Sequence, residues 1–281
     1  MRSDLAALGA VILWGSLAAL GASLNHIPPL LLTGIGLLIG GLVSLPLAKF
    51  DLKRLRVSPA ALLLGVYGLF GYHAALFAGL QNAPSVQANL VNYLWPLLIV
   101  VLAPIFIRGT TLTLRHVIAA VVGFIGAGLA ILSGTELVSG FAIGYVFAFF
   151  AAIFWSTYSL LSNRIAFKTT AVGTFGFVSG ALAIAAHLIF EPATIIQFAD
   201  WPLLIALGLG PLGGSFYLWS YALRNGSPQR VGLIAFLTPL ISTTLLLLVT
   251  DTPLSPLLAV SAGLIFIAAF FGSRAKKQVN N

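Results

Sequence analysis

The stretch NYLWPLLIVVL at residues 92–102 decides the fold, because a similar stretch, AFLTPLISTTL, lies 143 positions further along at residues 235–245 (235 − 92 = 143). Both are largely apolar runs with a proline near the middle, Pro96 in the first and Pro239 in the second. A proline removes one backbone hydrogen bond from a helix and permits a bend. The pair predicts two equivalent helices, each with either a static kink or a gating bend at its proline.

The similarity extends along the whole chain and predicts an internal repeat. Shifts of 140 to 143 residues also align Trp14-Gly15-Ser16 with Trp155-Ser156-Thr157, Gly123 with Gly263, and Gly65, Gly71, Leu80 and Asn82 with Gly208, Gly214, Leu223 and Asn225. We predict two repeats, residues 1–135 and 136–281. Each holds five helices, an odd number, so the second enters the membrane from the opposite side. Inverted repeats with a site between them near the midplane are typical of secondary transporters.

The composition identifies the bilayer as the solvent. Of the 281 residues, 59% are hydrophobic and 7% are charged, whereas a soluble domain has about 45–50% and about 25%. So few charges cannot cover a water-facing surface, which excludes a soluble enzyme, a disordered protein and a nucleic-acid binder. A helix of about 20 apolar residues crosses a membrane. We predict an all-α integral membrane protein with ten transmembrane helices at residues 5–24, 29–48, 59–80, 85–107, 116–133, 141–162, 171–190, 202–223, 229–249 and 254–273.

The distribution of charge supports this count and orients the chain. With ten spans and both termini in the cytoplasm, all 14 basic residues fall on the cytoplasmic side, as the positive-inside rule requires. The predicted outer loops contain no basic residue and hold Glu136, Glu191, Asp200 and Asp251. The net charge of +8 therefore reflects membrane topology rather than an affinity for nucleic acid.

Large aromatic residues lie at mid-depth in several predicted spans, although Trp and Tyr normally collect at the membrane interfaces. They are Trp14, Tyr72, Tyr93, Trp95 and Trp155, with Tyr217 and Trp219 on the eighth span as further candidates. One interpretation is core packing against glycine-rich helices. We favour the other, a cavity whose aromatic walls contact the apolar part of a substrate, because the rings share one depth on different helices.

The fourth span carries a polar face. Its members, at spacings of three and four residues, are Gln81, Ser85, Asn89, Asn92 and Pro96, and this spacing places them on one side of a helix. That side should face the protein interior, because polar groups are costly in lipid. The residues either join helices by hydrogen bonds or, as we predict for Asn89, bind the polar end of a substrate.

The absence of charge at mid-depth indicates the substrate class. No Asp, Glu, Lys or Arg lies within a predicted span, and buried charges usually mark ion pathways and sites for charged substrates. A neutral cavity suits a net-neutral molecule such as a zwitterionic amino acid, and no cofactor or metal is implied. His73 is either a neutral core residue or a group that binds a carboxylate or carries a proton. Unless it carries a proton, we expect facilitated or weakly coupled transport.

These features resemble the drug/metabolite transporter superfamily, which is built from EamA-type repeats, over essentially the whole chain. The motifs that carry the resemblance are a Trp-Gly in the first helix, a Trp in the sixth and proline breaks in the fourth and ninth, at Trp14, Trp155, Pro96 and Pro239. Within the superfamily, the aromatic residues are similar to those of aromatic amino acid exporters, at Tyr72-His73, Tyr93-Leu94-Trp95 and Trp155. The resemblance implies a ten-helix basket with a cavity lined by helices one, three, four, six, eight and nine. It also implies export of amino acids from the cytoplasm across a bacterial inner membrane.

Other functions remain open from the sequence. A membrane enzyme needs a buried nucleophile with a base, a carboxylate pair or a metal cluster, and the spans contain no such motif. A channel would rest on rings of carbonyls or charges, which a single chain of inverted halves does not favour. A carrier for a purine, a vitamin or a drug would use the same aromatic walls. We expect the partners to be amino acid substrates and the lipid bilayer, with no nucleic acid, and the chain to act as a monomer.

Overall fold

The computed structural model describes residues 2–132, 140–249 and 256–273, and over those residues the chain is helical, without β-strands. We number the helices in chain order. They are α1 (Arg2–Gly15 and Leu17–Gly21), α2 (Pro29–Leu47), α3 (Pro59–Gln81), α4 (Ser85–Phe106), α5 (Leu114–Leu132), α6 (Gly144–Leu161), α7 (Ala171–Phe190), α8 (Phe198–Asn225), α9 (Pro228–Ala235 and Leu237–Val249) and α10 (Pro256–Ser273).

Seven of these helices, α2 to α8, are long and apolar enough to cross a membrane. Helices α1 and α9 are divided by turns at Ser16 and Phe236, and α10 is described over 18 residues. The prediction of an all-α protein with several membrane-compatible helices is confirmed. The repeat boundary at residue 135, the span residues 133, 254 and 255, and the loop acids Glu136 and Asp251 lie outside the described residues.

The helices depart from regular α-geometry at positions that are 143 residues apart. Helix α3 contains a π-helical turn at Tyr67–Gly71, and α8 contains one at Gly210–Gly214 (210 − 67 = 143). Helix α4 is interrupted at Tyr93 and α9 at Phe236 (236 − 93 = 143). Each interruption lies three residues before the proline of its helix, because the proline ring and its missing N–H disturb the preceding turn.

The helices also pack in equivalent pairs. Helix α1 packs against α8 and α9, and α6 packs against α3 and α4. These pairs exchange when the first five helices are matched to the last five. Helix α2 packs against α7, and α5 against α10. Small residues let the α2 and α7 backbones meet: a methyl group added at Gly180 would lie 2.8 Å from the Gly34 carbonyl oxygen.

One end of the bundle, which we call the basic end, carries the basic connections. Arg230 pairs with Asp4 (3.3 Å), and Arg164 donates a hydrogen bond to a carbonyl in the last turn of α4 (3.0 Å). The Thr170 hydroxyl donates to the Arg54 carbonyl (3.2 Å). These contacts join the N-terminus to the α2–α3, α4–α5, α6–α7 and α8–α9 connections. All the basic residues that the structure describes lie in or beside these segments.

The opposite end, the acidic end, is closed by two carboxylates. Glu191, after α7, accepts a hydrogen bond from the Leu30 N–H in the first turn of α2 (2.9 Å) and pairs with His187 (2.9 Å). Asp200, in the first turn of α8, pairs with His26, which precedes α2 (3.1 Å). These bonds attach α2 to α7 and α8, and they leave α3 and α4 free of that attachment.

Candidate functional site

Four of the five tryptophans meet at the centre of the bundle, although they come from four different helices. The ring centroid of Trp14 on α1 lies 5.0 Å from that of Trp219 on α8, 5.6 Å from that of Trp155 on α6 and 6.0 Å from that of Trp95 on α4. The ring planes are tilted or edge-to-face, the geometries that aromatic pairs prefer. Trp14 is partly exposed, whereas the other three rings are buried.

Two more rings complete this layer. Tyr72 on α3 and Phe216 on α8 lie 5.2 and 5.6 Å from Trp155, centroid to centroid. We call the whole set the aromatic layer: Trp14, Tyr72, Trp95, Trp155, Phe216 and Trp219. Toward the basic end, the interior beside the layer is filled by buried apolar side chains, among them Ala10, Ile99, Ala103, Ala222 and Val231. The aromatic layer and this packing close one side of the bundle.

A cavity of about 510 Å³ lies on the other side of the aromatic layer, and its volume is typical of small-molecule sites. Its lining extends from Trp14 and Trp155 to Leu80 and Ser85, at the acidic end of α3 and α4. Within the described residues, α7 and α10 contribute nothing to the lining. The six helices that the family resemblance implies all contribute, and α2 and Ile131 of α5 contribute in addition.

Most of the predicted substrate contacts surround this cavity. The lining includes Trp14, Tyr72, His73, Asn89, Tyr93, Trp95 and Trp155. Of the two predicted bends, Pro239 lines the cavity and Pro96 does not. Pro96 lies instead at the contact between α4 and α9, where its carbonyl oxygen would be 3.1 Å from a methyl group added at Gly232.

Tyr217 is the predicted contact that the structure places elsewhere. It is absent from the cavity lining, and its hydroxyl donates a hydrogen bond to the Gly40 carbonyl on α2 (3.1 Å). The π-helical turn at Gly210–Gly214 explains the difference, because its additional residue rotates the rest of α8 by about 100°. Phe216 and Trp219 occupy the aromatic layer, and Tyr217 joins α8 to α2.

The polar groups of the cavity are uncharged within the described residues, and three of them have no partner. The Oγ1 atoms of Thr33 on α2 and Thr238 on α9 are buried and unpaired, as is Oδ1 of Asn92 on α4. A buried polar atom without a hydrogen bond costs about 1–3 kcal/mol. Because these three atoms belong to lining residues, a bound molecule can supply the missing hydrogen bonds.

The orientation of His73 is fixed by the π-helical turn of α3. Its Nδ1 lies 2.6 Å from the Leu69 carbonyl oxygen within that turn. A carbonyl only accepts, so Nδ1 carries the proton, and Nε2 of the neutral ring is an acceptor. The ring is buried and lines the cavity. His73 therefore offers a hydrogen-bond acceptor to a molecule in the cavity.

Sequence reasoning missed three lining residues. Phe216 lies 143 residues after His73, and Thr238 lies 143 residues after Trp95 (216 − 73 = 238 − 95 = 143). The repeat alignment therefore contained a signal for both. Thr33 is a lone hydroxyl in an apolar, glycine-rich helix, and the sequence holds no signal that distinguishes it.

Comparison with known proteins agrees with this site. The sequence profile of the EamA-like transporter family matches residues 1–132 and 142–274. The chain is 36% identical over 276 residues to the aromatic amino acid exporter YddG of Ancylobacter novellus, covering 94% of this chain and 95% of that protein. It is 26% identical over 274 residues to the exporter YddG of Salmonella typhimurium, with 90% of each chain covered.

A protein of known crystal structure has the same fold. Its sequence is 35% identical, the TM-score is 0.88, and the match covers 96% of this chain and 97% of that one. The resemblance predicted from the tryptophan, proline and repeat motifs is thereby confirmed. The chain belongs to the EamA-like transporter family and is a multi-pass membrane transporter.

Proposed function

We propose that this protein exports neutral amino acids, above all aromatic ones, from the cytoplasm through the bacterial inner membrane by alternating access. The observation that carries the proposal is the uncharged, ring-walled cavity on one side of the aromatic layer. A cavity that opens toward one end and is closed toward the other is what a carrier presents in one of its two states. The printed names of the YddG relatives support the same substrate class.

The carrier consists of ten membrane spans in two inverted repeats, residues 1–135 and 136–281. Support comes from the π-helical turns of α3 and α8 and from the interruptions of α4 and α9, all 143 residues apart. The exchanged packing of α1 with α8 and of α6 with α3 has the same symmetry. The family profile also matches the chain twice.

The basic end faces the cytoplasm, and both termini lie there, because basic loops remain on the cytoplasmic side during insertion. The cavity, which extends to the acidic end, then opens outward. The aromatic layer and the apolar packing beneath it form the closed inner gate. This arrangement corresponds to the state from which a substrate leaves the cell.

A zwitterionic amino acid satisfies the chemistry of the cavity. Its apolar side chain contacts the rings of Trp14, Tyr72, Tyr93, Trp95 and Trp155. Its ammonium group donates to Nε2 of His73, and its carboxylate accepts from the Thr238 hydroxyl and the Asn92 amide, with Asn89 nearby on the same helix face. Hydrogen bonds to charged groups contribute about 1.5–3 kcal/mol each, so neutral dipoles hold both ends without a buried ion.

The change of access occurs at the interruptions of α4 and α9. Pro96 and Pro239 each leave a carbonyl one turn earlier without its helical donor, which lets the two halves of each helix bend independently. In the opposite state the outer halves close over the cavity and the inner halves separate. The spans of the described chain contain no carboxylate at mid-depth, so transport follows the substrate gradient and requires no cofactor or second subunit.

A second candidate is a carrier of the same family for another neutral metabolite or drug, such as a purine or a vitamin. The observation that favours it is the same aromatic layer, because stacking does not distinguish one planar ring from another. The two candidates differ at the polar end of the substrate, where an amino acid carries both a donor group and a carboxylate.

Counterflow in proteoliposomes separates these functions. Vesicles that contain the protein are loaded with unlabelled phenylalanine, with equal pH on both sides, and uptake of labelled solutes is followed. We expect rapid accumulation of labelled phenylalanine, slower accumulation of alanine, and none of a nucleoside or a lipophilic cation. Exchange of the nucleoside but not of phenylalanine would establish the second candidate. A strict requirement for a proton gradient would refute uncoupled transport.

A further inference from the structure

A second cavity, of about 220 Å³, lies at the basic end, away from the aromatic layer. It lies between the α2–α3 connection and the α6–α7 connection. Lys53, Arg54 and Arg56 come from the first connection, and Lys168 comes from the second. The two connections belong to different proposed repeats, so the cavity joins the two halves of the chain.

The four positive charges of this cavity have little compensation. The Asp51 carboxylate pairs with Arg54 (3.3 Å) but is not part of the lining. Over the residues that the structure describes, Lys53, Arg56 and Lys168 have no acidic partner. Like charges held close together repel, more strongly near a protein surface than in bulk water. An anion among these side chains would replace that repulsion with attraction.

Two helix N-termini add to the positive potential. Ser58 caps α3 by accepting a hydrogen bond from the Ala61 N–H (3.2 Å), and α7 begins at Ala171. Both Ser58 and Ala171 line the cavity. A helix N-terminus carries roughly half a positive elementary charge, and its free N–H groups favour oxyanions. A phosphate here would meet cationic side chains and two helix dipoles of the same sign.

Exposed apolar side chains beside the cavity favour a lipid over a free anion. Phe50 and Leu52, on the α2–α3 connection, are 73% and 69% exposed. Lys49 and Phe50 both have a left-handed φ of 56°, which turns the chain sharply after α2. In a membrane protein, exposed apolar residues next to basic ones at the helix ends lie in the lipid interface. The segment therefore combines charges that suit a phosphate with contacts that suit acyl chains.

We propose that this cavity binds the phosphate headgroup of an anionic phospholipid, with the acyl chains against Phe50 and Leu52. Basic pockets between helices are suited to such headgroups. The bound lipid attaches the α2–α3 connection to the α6–α7 connection. It thereby stabilises the basic end in its closed arrangement.

The test uses the purified full-length protein in detergent and measures bound lipid by native mass spectrometry and stability by thermal unfolding. The probes are phosphatidylglycerol, phosphatidylcholine with the same acyl chains, and inorganic phosphate. We expect phosphatidylglycerol to bind and to raise the unfolding temperature, and the other two to do neither. A combined Lys53→Gln, Arg56→Gln and Lys168→Gln variant should bind phosphatidylglycerol on the order of 100-fold more weakly, since each base contributes about fivefold.

A matched variant removes the same charge from the same end but outside the cavity, through Arg2→Gln, Arg108→Gln and Arg115→Gln. It should bind phosphatidylglycerol as the original chain does, and an equal loss would overturn the proposal. Equal binding of phosphatidylcholine would also overturn it, as would an equal response to inorganic phosphate. Should the combined variant not fold, Lys168→Gln alone should weaken binding about fivefold and Lys168→Arg should not. Equal behaviour of those two variants would refute the site.

Discussion

The inner and outer halves of α4 and α9 share one backbone pattern and have opposite packing. Near the basic end the two helices touch, since a methyl group added at Gly232 would lie 3.1 Å from the Pro96 oxygen and 3.2 Å from Ile99. Near the acidic end, Ser85–Asn92 and Leu237–Val249 both contribute residues to the cavity lining. The repeat of the backbone therefore does not make the two sides of the aromatic layer alike.

Side chains account for the difference. Buried apolar residues on the inner side have polar, cavity-lining residues as their equivalents 143 positions away. The pairs are Trp95 with Thr238, Ile99 with Ser242, Val100 with Thr243, and Ala235 with Asn92. Trp219 likewise corresponds to Leu76, a smaller lining residue (219 − 76 = 143). The inner side closes by apolar packing, whereas the outer side would bring hydroxyl and amide groups together.

The comparison gives a physical reason for the direction in which the cavity opens. Polar groups resist burial unless they are hydrogen-bonded, and three of those in the cavity lack a protein partner. We infer that the unloaded carrier rests with its outer side open. The charged ends of a substrate supply the missing hydrogen bonds and thereby favour closure.

The largest difference between the two sides should appear in stability. Trp219 is 1% exposed and its Nε1 donates to Ser159 (3.1 Å), so Trp219→Ala should lower the free energy of unfolding by about 3–5 kcal/mol. Its equivalent Leu76 borders the cavity, so Leu76→Ala should cost less than about 2 kcal/mol, the lower limit for a well-buried leucine. Thermal unfolding in detergent measures both. Equal losses would show that the two sides are packed alike.

The next effect concerns the unpaired hydroxyl of Thr238. Thr238→Val keeps the shape and removes the hydroxyl, so phenylalanine should bind about 10- to 100-fold more weakly, as expected for one hydrogen bond to a charged group. The unfolding temperature should stay the same or rise, because an unsatisfied buried group is lost. Thr244→Val is the control, since the Thr244 hydroxyl bonds within its own helix and lies outside the cavity. Equal weakening by both substitutions would remove Thr238 from the site.

A smaller effect should distinguish the aromatic layer from simple packing. Trp95→Ala should reduce counterflow of phenylalanine more than that of alanine, by about 2- to 10-fold, because a ring contact contributes about 0.5–1.5 kcal/mol beyond burial. Trp201→Ala, at the acidic end and partly exposed, should leave the ratio unchanged. An equal reduction for both substrates would assign Trp95 a structural role alone.

The helix pattern and the repeat were readable from the sequence because both depend on the linear order of residues. Apolar runs of membrane length set the helices. The 143-residue shift placed the tryptophans and the α4 polar face at corresponding depths, and most of them line the cavity. The shift would also have identified Thr238, as the equivalent of Trp95.

What the sequence did not reveal depends on three-dimensional packing. The facing of Tyr217 changed because the π-helical turn before it inserts one residue into the helical phase. The side on which the cavity opens depends on which members of each equivalent pair pack together, and Thr33 joins the site only because α2 passes beside α8. A pattern of hydrophobicity contains none of this information.

The most direct test of the account uses the absence of cysteine in the chain. Thr243→Cys and Val100→Cys are near-isosteric probes at equivalent positions on the two sides of the aromatic layer (243 − 100 = 143). We expect a membrane-impermeant thiol reagent added from outside to label Thr243→Cys rapidly and Val100→Cys slowly, and phenylalanine to protect Thr243→Cys. Equal labelling of the two positions, or labelling of Thr243→Cys that phenylalanine does not change, would contradict a substrate cavity on the outer side.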